Sequence, residues 1–164
     1  MNFRLRGQRR PVLAAAAAAV CVAILGGLAS DIGPWYRALN KPSWNPPDWL
    51  FGPAWTLIYA LTALAGVYSW VAARDAAERR AVGWLFAING TLNVLWSLLF
   101  FSMRRPDWAL YEVALLWLSI LSLILYCRRL DRRTTWLLVP YLLWVSFAAT
   151  LNAVVVQLNS PCCG

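Results

Sequence analysis

Five long apolar runs, separated by short polar segments, make up most of the chain. Each approaches or exceeds the ~20 residues that a helix needs to cross a bilayer, and none contains Lys or Arg. The runs cover about residues 12–30, 50–73, 82–103, 108–127 and 134–158. This pattern predicts an all-α membrane protein with a single domain over residues 1–164, built as a five-transmembrane-helix bundle.

The first run also has the outline of a secretory signal. Arg4, Arg6, Arg9 and Arg10 precede an alanine-rich apolar stretch, as they would in a cleaved leader. The apolar stretch is long for such a signal, however. We therefore expect it to be retained as the first membrane helix.

The segment at 31–49, between the first two runs, is rich in Trp and Pro. Pro42, Pro46 and Pro47 lack a backbone donor and bias the preceding residues toward extended conformations, so this segment is predicted not to be helical. A disordered linker would not carry so many aromatic side chains. We predict a structured capping loop on the membrane surface, although an aromatic belt at the bilayer interface would explain the same rings. The aromatic residues of this segment are Trp35, Tyr36, Trp44 and Trp49.

Charge placement predicts the orientation in the membrane. Only 13% of the residues are charged, about half of the share typical of soluble domains. The N-terminal tail and the second and fourth loops carry eleven Arg residues, whereas the first and third loops carry four Lys and Arg. By the positive-inside rule, the N-terminus is cytoplasmic and the capping loop faces outward. The net charge of +8 is explained by this topology, so we expect no nucleic-acid partner.

Composition also excludes several kinds of chemistry. The chain contains no His, which excludes histidine-based catalysis and axial His ligation of haem. Its four Cys residues show neither C-x-x-C nor Cys/His ligand spacing. We therefore predict no metal site and no obligatory cofactor.

Aromatic and amide side chains recur at helical spacing on three of the predicted helices. Most of them, together with Glu112 of the fourth helix, fall in the half of the membrane nearer the capping loop. We predict that they converge on a pocket for a flat apolar ligand. The residues concerned are Trp55 and Tyr59 on the second helix, Asn93, Trp96 and Phe100 on the third, and Trp144, Ala148 and Asn152 on the fifth.

The polar members of this set have alternative roles. Asn89 and Asn93 need hydrogen-bond partners in lipid, and interhelical bonding explains them as well as ligand contact does. Glu112 is the one ionisable side chain clearly inside an apolar run, which makes it a candidate functional residue. It is also close enough to the interface to reach headgroup water or to pair with Arg104 or Arg105.

Small residues at four-residue spacing indicate close helix packing. The ridge from Ala15 to Gly27 on the first helix is expected to pack within the molecule. Gly83 and Ala87 on the third helix form a second ridge, which is a candidate homodimer contact.

The capping loop carries a specific resemblance. W-Y-x-x-L-x-K-P-x-W-x-P-P, at residues 35–47, resembles the first-loop signature of the TspO/MBR family of tryptophan-rich sensory proteins and translocator proteins. Trp55-Thr56-Leu57-Ile58-Tyr59, the segment 93–101 and the segment 140–152 fit the same family in the same order. The resemblance covers about residues 30–152 and is closest to a bacterial member, which implies a bacterial cell membrane.

The resemblance implies a ligand as well as a fold. The family binds tetrapyrroles such as protoporphyrin, and its ligand-contacting aromatic positions correspond to Trp55, Trp96, Trp108 and Trp144, with a small residue at Ala148. The Tyr-Arg pair with which animal members end the fifth helix is absent here, which argues against sterol binding. Combined with the residue pattern, the predicted ligand-binding set is Trp35, Tyr36, Trp44, Trp55, Tyr59, Asn93, Trp96, Phe100, Trp108, Glu112, Trp144, Ala148 and Asn152.

Three functions are compatible with this set. The first is a membrane protein that senses, sequesters or transports metal-free porphyrin, held by ring stacking and by a propionate contact with Arg37 or Lys41. The second is a light- and oxygen-dependent porphyrin-degrading enzyme, as the resemblance implies for some bacterial members, with Trp55 and Trp144 donating electrons. The third is an ion-coupled small-molecule exporter that uses Glu112.

Overall fold

The computed structural model describes residues 9–159, in which six α-helices account for most of the chain. Five of them are long and apolar enough to cross a membrane, which confirms the predicted all-α five-helix architecture. The long helices are α1 (Arg9–Ala29), α3 (Phe51–Ala72), α4 (Ala76–Ser97), α5 (Pro106–Cys127) and α6 (Arg133–Leu158). The short helix α2 (Pro34–Ala38) lies in the capping loop.

The capping loop contains two short helical segments that its prolines were expected to prevent. Pro34 stands at the first position of α2, where the missing amide proton costs nothing and the fixed φ favours a helix. A 3₁₀ turn at Asp48–Leu50 then follows Pro47, whose extended backbone serves as its N-cap. The prediction of a wholly non-helical loop was therefore wrong at both ends, while residues 39–47 between them are non-helical.

The start of α4 also differs from the sequence pattern, which placed it near residue 82. Asp75 accepts a hydrogen bond from the Glu78 backbone amide at 2.8 Å and so caps the helix at Ala76. The first turn is polar, with Glu78 paired with Arg74, and a pattern based on apolar residues does not detect it.

The long helices form a closed ring. Each packs chiefly against two neighbours, in the order α1, α3, α6, α5, α4 and back to α1. Helix α5 buries one face at alternating spacings of four and three residues, which is the pattern of a helix packed between two others. The buried residues of that face are Ala109, Val113, Leu116, Ile120, Leu123 and Cys127.

The end of the bundle opposite the capping loop, where the α3–α4 and α5–α6 connections lie, has exposed aromatic side chains. Trp84 and Trp136 are 70% and 76% exposed. The Gly83 and Ala87 ridge is exposed too, so its role in a homodimer stays a prediction. The arginines at 4 and 6 and the cysteines at 162 and 163 lie outside the described residues.

Candidate functional site

A cavity of about 670 Å³ lies beneath the capping loop and is enclosed by α1, α3, α6 and the end of α4. We call it the capped cavity. Its volume is in the range of pockets that hold drug-sized ligands, roughly 300–1,000 Å³. Eight residues of the predicted set line it: Tyr36, Trp55, Tyr59, Trp96, Phe100, Trp144, Ala148 and Asn152.

Trp55 is at the centre of one wall. Its ring stacks on Tyr59, one turn further along α3, with 5.4 Å between centroids and 25° between planes. It also makes edge contacts with Tyr141 at 6.1 Å and with Trp144 at 6.5 Å, both on α6. The i, i+4 spacing of Trp55 and Tyr59 places both rings on the α3 face that looks into the ring of helices.

The opposite wall comes from the end of α4. Trp96 stacks on Phe100 with 5.2 Å between centroids, and its indole Nε1 donates to Asn152 Oδ1 at 3.3 Å. Asn152 is buried, and its Nδ2 donates to the Pro106 carbonyl oxygen at 2.8 Å. Asn152 therefore orients the Trp96 ring and ties α4, α5 and α6 together.

A π-helical turn at Leu98–Ser102 shapes this wall. A π turn holds one extra residue, so it shifts the side chains that follow it around the helix axis. Phe100 and Phe101 both line the cavity as a result, with 4.8 Å between their ring centroids. Arg104, between the π turn and α5, has a positive φ of 56°, and the chain reverses direction there.

Helix α1 supplies a smooth third wall. Its small residues Ala19, Ala23, Gly26 and Gly27 line the cavity and leave space in front of the rings. The predicted ridge therefore faces this cavity, and at Gly27 an added Cβ would meet no atom within 4 Å. At Gly26 a Cβ would meet the Tyr59 hydroxyl at 3.4 Å, a tight contact.

The roof of the cavity carries a cation. Lys41 Nζ donates to the Tyr36 carbonyl oxygen at 2.6 Å and lies 4.2 Å from the centre of the Tyr36 ring. Burial raises the pKa of the Tyr36 phenol, and the nearby Asp48 raises it further, so this ring stays neutral at physiological pH. Asn45 also lines the roof, and its buried Oδ1 has no hydrogen-bond partner among the described residues.

Tyr59 forms the floor of the cavity and begins a hydrogen-bonded chain of three side chains that continues beneath it. The Tyr59 hydroxyl donates to Asn93 Oδ1 at 2.8 Å, and Asn93 Nδ2 donates to the Tyr141 hydroxyl at 3.0 Å. Asn93 thus bridges α3, α4 and α6, which is the interhelical bonding that the sequence offered as an alternative to ligand contact. Beyond Tyr59, a second cavity of about 780 Å³ extends between α1, α3 and α4 toward the opposite end of the bundle.

Five members of the predicted set do not line the capped cavity. Trp35 and Trp44 support the roof from behind, where their rings meet Phe100 at 6.1 Å and Phe147 at 5.8 Å. Asn93 lies behind Tyr59 and borders the second cavity. The other two, Trp108 and Glu112, belong to α5.

The expectation that the α5 residues join the other rings was wrong for this cavity. None of the described α5 residues lines it, because α5 packs on the far side of the ring of helices, against α4 and α6. Trp108 is 51% exposed, with the Arg105 guanidinium 4.7 Å from its ring centre. Glu112 is buried, and neither carboxyl oxygen has a hydrogen-bond partner among the described residues.

The unpartnered Glu112 carboxyl leads to a first prediction. Glu112→Gln keeps the shape of the side chain and removes any charge, so we expect the thermal midpoint in detergent to stay the same or rise. Binding in the capped cavity should not change, because Glu112 does not line it. An exporter coupled through this carboxyl would instead lose ion-driven uptake in proteoliposomes. Loss of that flux with normal binding would favour the exporter.

Sequence reasoning missed several lining residues, among them Phe51, Phe101, Leu151 and Val155. Leu151 and Val155 continue the α6 face of Trp144 and Ala148 at three- and four-residue spacing, a signal that was present in the sequence. Phe101 depends on the π turn and had no such signal.

Comparison with known proteins gives consistent results. The profile of the TspO/MBR family matches residues 14–158. The chain is 45% identical to "Tryptophan-rich protein TspO" of Chlorobaculum tepidum over 127 residues, 76% of this chain and 79% of that protein. It is 35% identical to "Protein CrtK" of Rhodobacter capsulatus over 144 residues, 87% and 88% of the two chains. It is also 32% identical to the human "Translocator protein" over 119 residues, 72% and 70% of the two chains.

Proposed function

Because the chain belongs to the TspO/MBR family of integral multi-pass membrane proteins, we propose that it binds a metal-free tetrapyrrole of the protoporphyrin type in the capped cavity. In the proposed orientation the N-terminus is cytoplasmic and the capping loop is on the outer face of a bacterial cell membrane. The ligand then enters from the outer leaflet or the outer aqueous phase. Binding in this cavity is the step that sensing, sequestration and transport of the porphyrin share.

The observation that carries the proposal is the aromatic lining of a cavity of suitable size. Rings from α3, α4 and α6 face one space of about 670 Å³, opposite the small residues of α1. A flat conjugated ligand gains about 0.5–1.5 kcal/mol per ring contact beyond the area that it buries. A cavity with one smooth wall and two aromatic walls favours a planar ligand over a globular one.

Polar groups at the roof suit the periphery of a porphyrin. Lys41 can exchange its bond to the Tyr36 carbonyl for a charge-assisted bond to a propionate. Because the chain has no His, an iron tetrapyrrole would lack its usual axial ligand. These features favour the metal-free ring.

One observation favours photo-oxidative degradation as a second candidate function. The Trp55 and Trp144 indoles lie 6.5 Å apart and both line the cavity, so both would be close to a bound porphyrin. Indole side chains beside a bound porphyrin can donate electrons to the photoexcited porphyrin ring. Oxygen would be the co-reactant.

Titration with protoporphyrin tests the binding proposal. Trp144→Phe keeps a ring but removes indole contact area on the cavity wall, so we expect binding about two- to tenfold weaker. Porphyrin absorbance is a suitable measurement because it does not depend on the number of Trp residues. Trp136→Phe is the matched control, since Trp136 lies near the start of the same helix and is 76% exposed.

Equal weakening by both variants would place the ligand elsewhere and would overturn the proposal. The same samples, kept in light and in the dark, separate binding from degradation. A porphyrin spectrum that is stable under illumination in air removes the enzyme. Light-dependent bleaching that requires both Trp55 and Trp144 supports it.

A further inference from the structure

The last residue that the structure describes, Asn159, joins the end of α6 to the capping loop. Its Oδ1 accepts a hydrogen bond from the Asn40 backbone amide at 2.9 Å. Its Nδ2 donates to the Asn40 carbonyl oxygen, also at 2.9 Å. One side-chain amide thus satisfies both backbone groups of a residue that is 119 positions away in the sequence.

This pairing requires an amide side chain. A carboxylate can accept from the Asn40 amide but cannot donate to its carbonyl, and a hydroxyl is too small to do both. Asn159 Nδ2 also donates to the Val155 carbonyl at 2.8 Å, in the last turn of α6. The same carbonyl accepts the Asn159 backbone amide at 3.2 Å, so two bonds from one residue fix the position of the side-chain amide.

The pairing is coupled directly to the roof of the capped cavity. Asn40 precedes Lys41, whose ammonium group is bonded to the Tyr36 carbonyl, and Lys41 and Tyr36 both line the cavity. On the other side of the bond, Val155 and Leu151 of α6 line the same cavity. Asn159 therefore holds one edge of the roof against one wall.

The capping loop also meets the bundle through ring contacts. Tyr36 lies against Phe101 at 5.5 Å, and Trp44 against Phe147 at 5.8 Å. Ring contacts tolerate sliding, because favourable pairs span centroid distances of about 4.5–7 Å, whereas paired hydrogen bonds have a narrow geometry. Among the described residues, the directional fastening of the roof consists of the Asn159 pairing and a longer 3.5 Å bond from Asn40 Nδ2 to the Leu158 carbonyl oxygen.

We propose that Asn159 is a positioning residue that latches the capping loop over the cavity, and that release of this latch admits and discharges the ligand on the loop side. The access step rests on the proposed porphyrin-binding function. The hold of Asn159 on the capping loop does not depend on that function. Porphyrin passage then requires the Asn159–Asn40 pair to open while the helices keep their arrangement.

The test combines amide hydrogen exchange with ligand release. In Asn159→Ala, peptides covering residues 35–45 should exchange roughly fivefold faster than in the original protein. Protoporphyrin should dissociate faster by a similar factor. The thermal midpoint in detergent should change little, because the lost bonds are at the bundle surface.

Asn40→Ala is the matched control. The two bonds at 2.9 Å use the backbone of Asn40, so this variant keeps them. It loses only the long 3.5 Å bond from Asn40 Nδ2 to the Leu158 carbonyl oxygen, so it should exchange and release nearly like the original protein. Asn159→Asp should fall between the two, because it keeps the acceptor for the Asn40 amide and loses the donor. Such a graded series would not arise from general loosening of α6.

Each outcome decides one part of the inference. Unchanged exchange in Asn159→Ala overturns the latch, whatever the ligand. Faster exchange with unchanged dissociation overturns the access step and indicates entry between the helices. If protoporphyrin binds to neither protein, the proposed function fails, and the exchange data alone decide whether Asn159 holds the loop.

Discussion

Ala148→Phe is expected to weaken protoporphyrin binding by about 30- to 100-fold while the protein still folds. Ala148 lines the capped cavity one turn from Trp144 and one turn from Asn152. A phenyl ring at this position enters the space that the ligand needs. Overpacking of this kind costs about 1–3 kcal/mol, and here the cost appears in the complex because the empty cavity can accept the ring. Porphyrin absorbance titration in detergent measures the effect.

The control for added bulk is Thr150→Phe. Thr150 is exposed on the same helix, two residues further along, and bonds only within that helix among the described residues. The same ring added there should face lipid and leave porphyrin affinity unchanged. Tight binding in Ala148→Phe would mean that the ligand does not occupy the capped cavity, and the proposed function would lose its site.

Asn93→Leu is expected to lower the free energy of unfolding by about 1–3 kcal/mol. Leu fills a similar volume, but it leaves the buried Tyr141 hydroxyl and the Tyr59 hydroxyl without their shared partner. Buried polar groups that lose a partner cost about 1–3 kcal/mol each in water-soluble proteins, and interhelical bonds in membranes contribute less. Reversible unfolding in mixed micelles measures the change.

Thr91→Val on the same helix is the matched control. Thr91 Oγ1 donates to the Ala87 carbonyl within α4 and bridges no other helix among the described residues. Its loss should change stability by less than about 0.5 kcal/mol. If the Asn93 and Thr91 variants lose equal stability, the three-helix bridge contributes nothing specific.

The sequence alone was sufficient for the number of membrane helices. Lipid satisfies no backbone hydrogen bonds, so a long apolar run must be helical, and this rule applies residue by residue without knowledge of neighbours. It fails where a helix leaves the membrane, as at Ala76, because the polar first turn of α4 is stabilised by the Asp75 cap.

The sequence also predicted most of the capped cavity. Aromatic residues lie at helical spacing on α3, α4 and α6, at similar depths in the membrane. This arrangement favours a shared interior space lined by their rings. Trp55, Trp96 and Phe100 illustrate this, since each was predicted from spacing and depth and each lines the cavity. The same argument placed Glu112 there and was wrong for this cavity, because depth does not tell which neighbours a helix packs against. Trp108, which the family resemblance implied, does not line the cavity either.

What the sequence by itself determined is therefore local or one-dimensional: helix count, depth along the membrane and the face on which each ring lies. Only the tertiary structure decided the order of the helices around the ring, which excludes α5 from the cavity and places the small residues of α1 in it. It also decided the π turn that turns Phe101 inward and the pairing of Asn40 with Asn159. These features depend on contacts between segments far apart in the chain, and the periodicity within one segment carries no information about its partners.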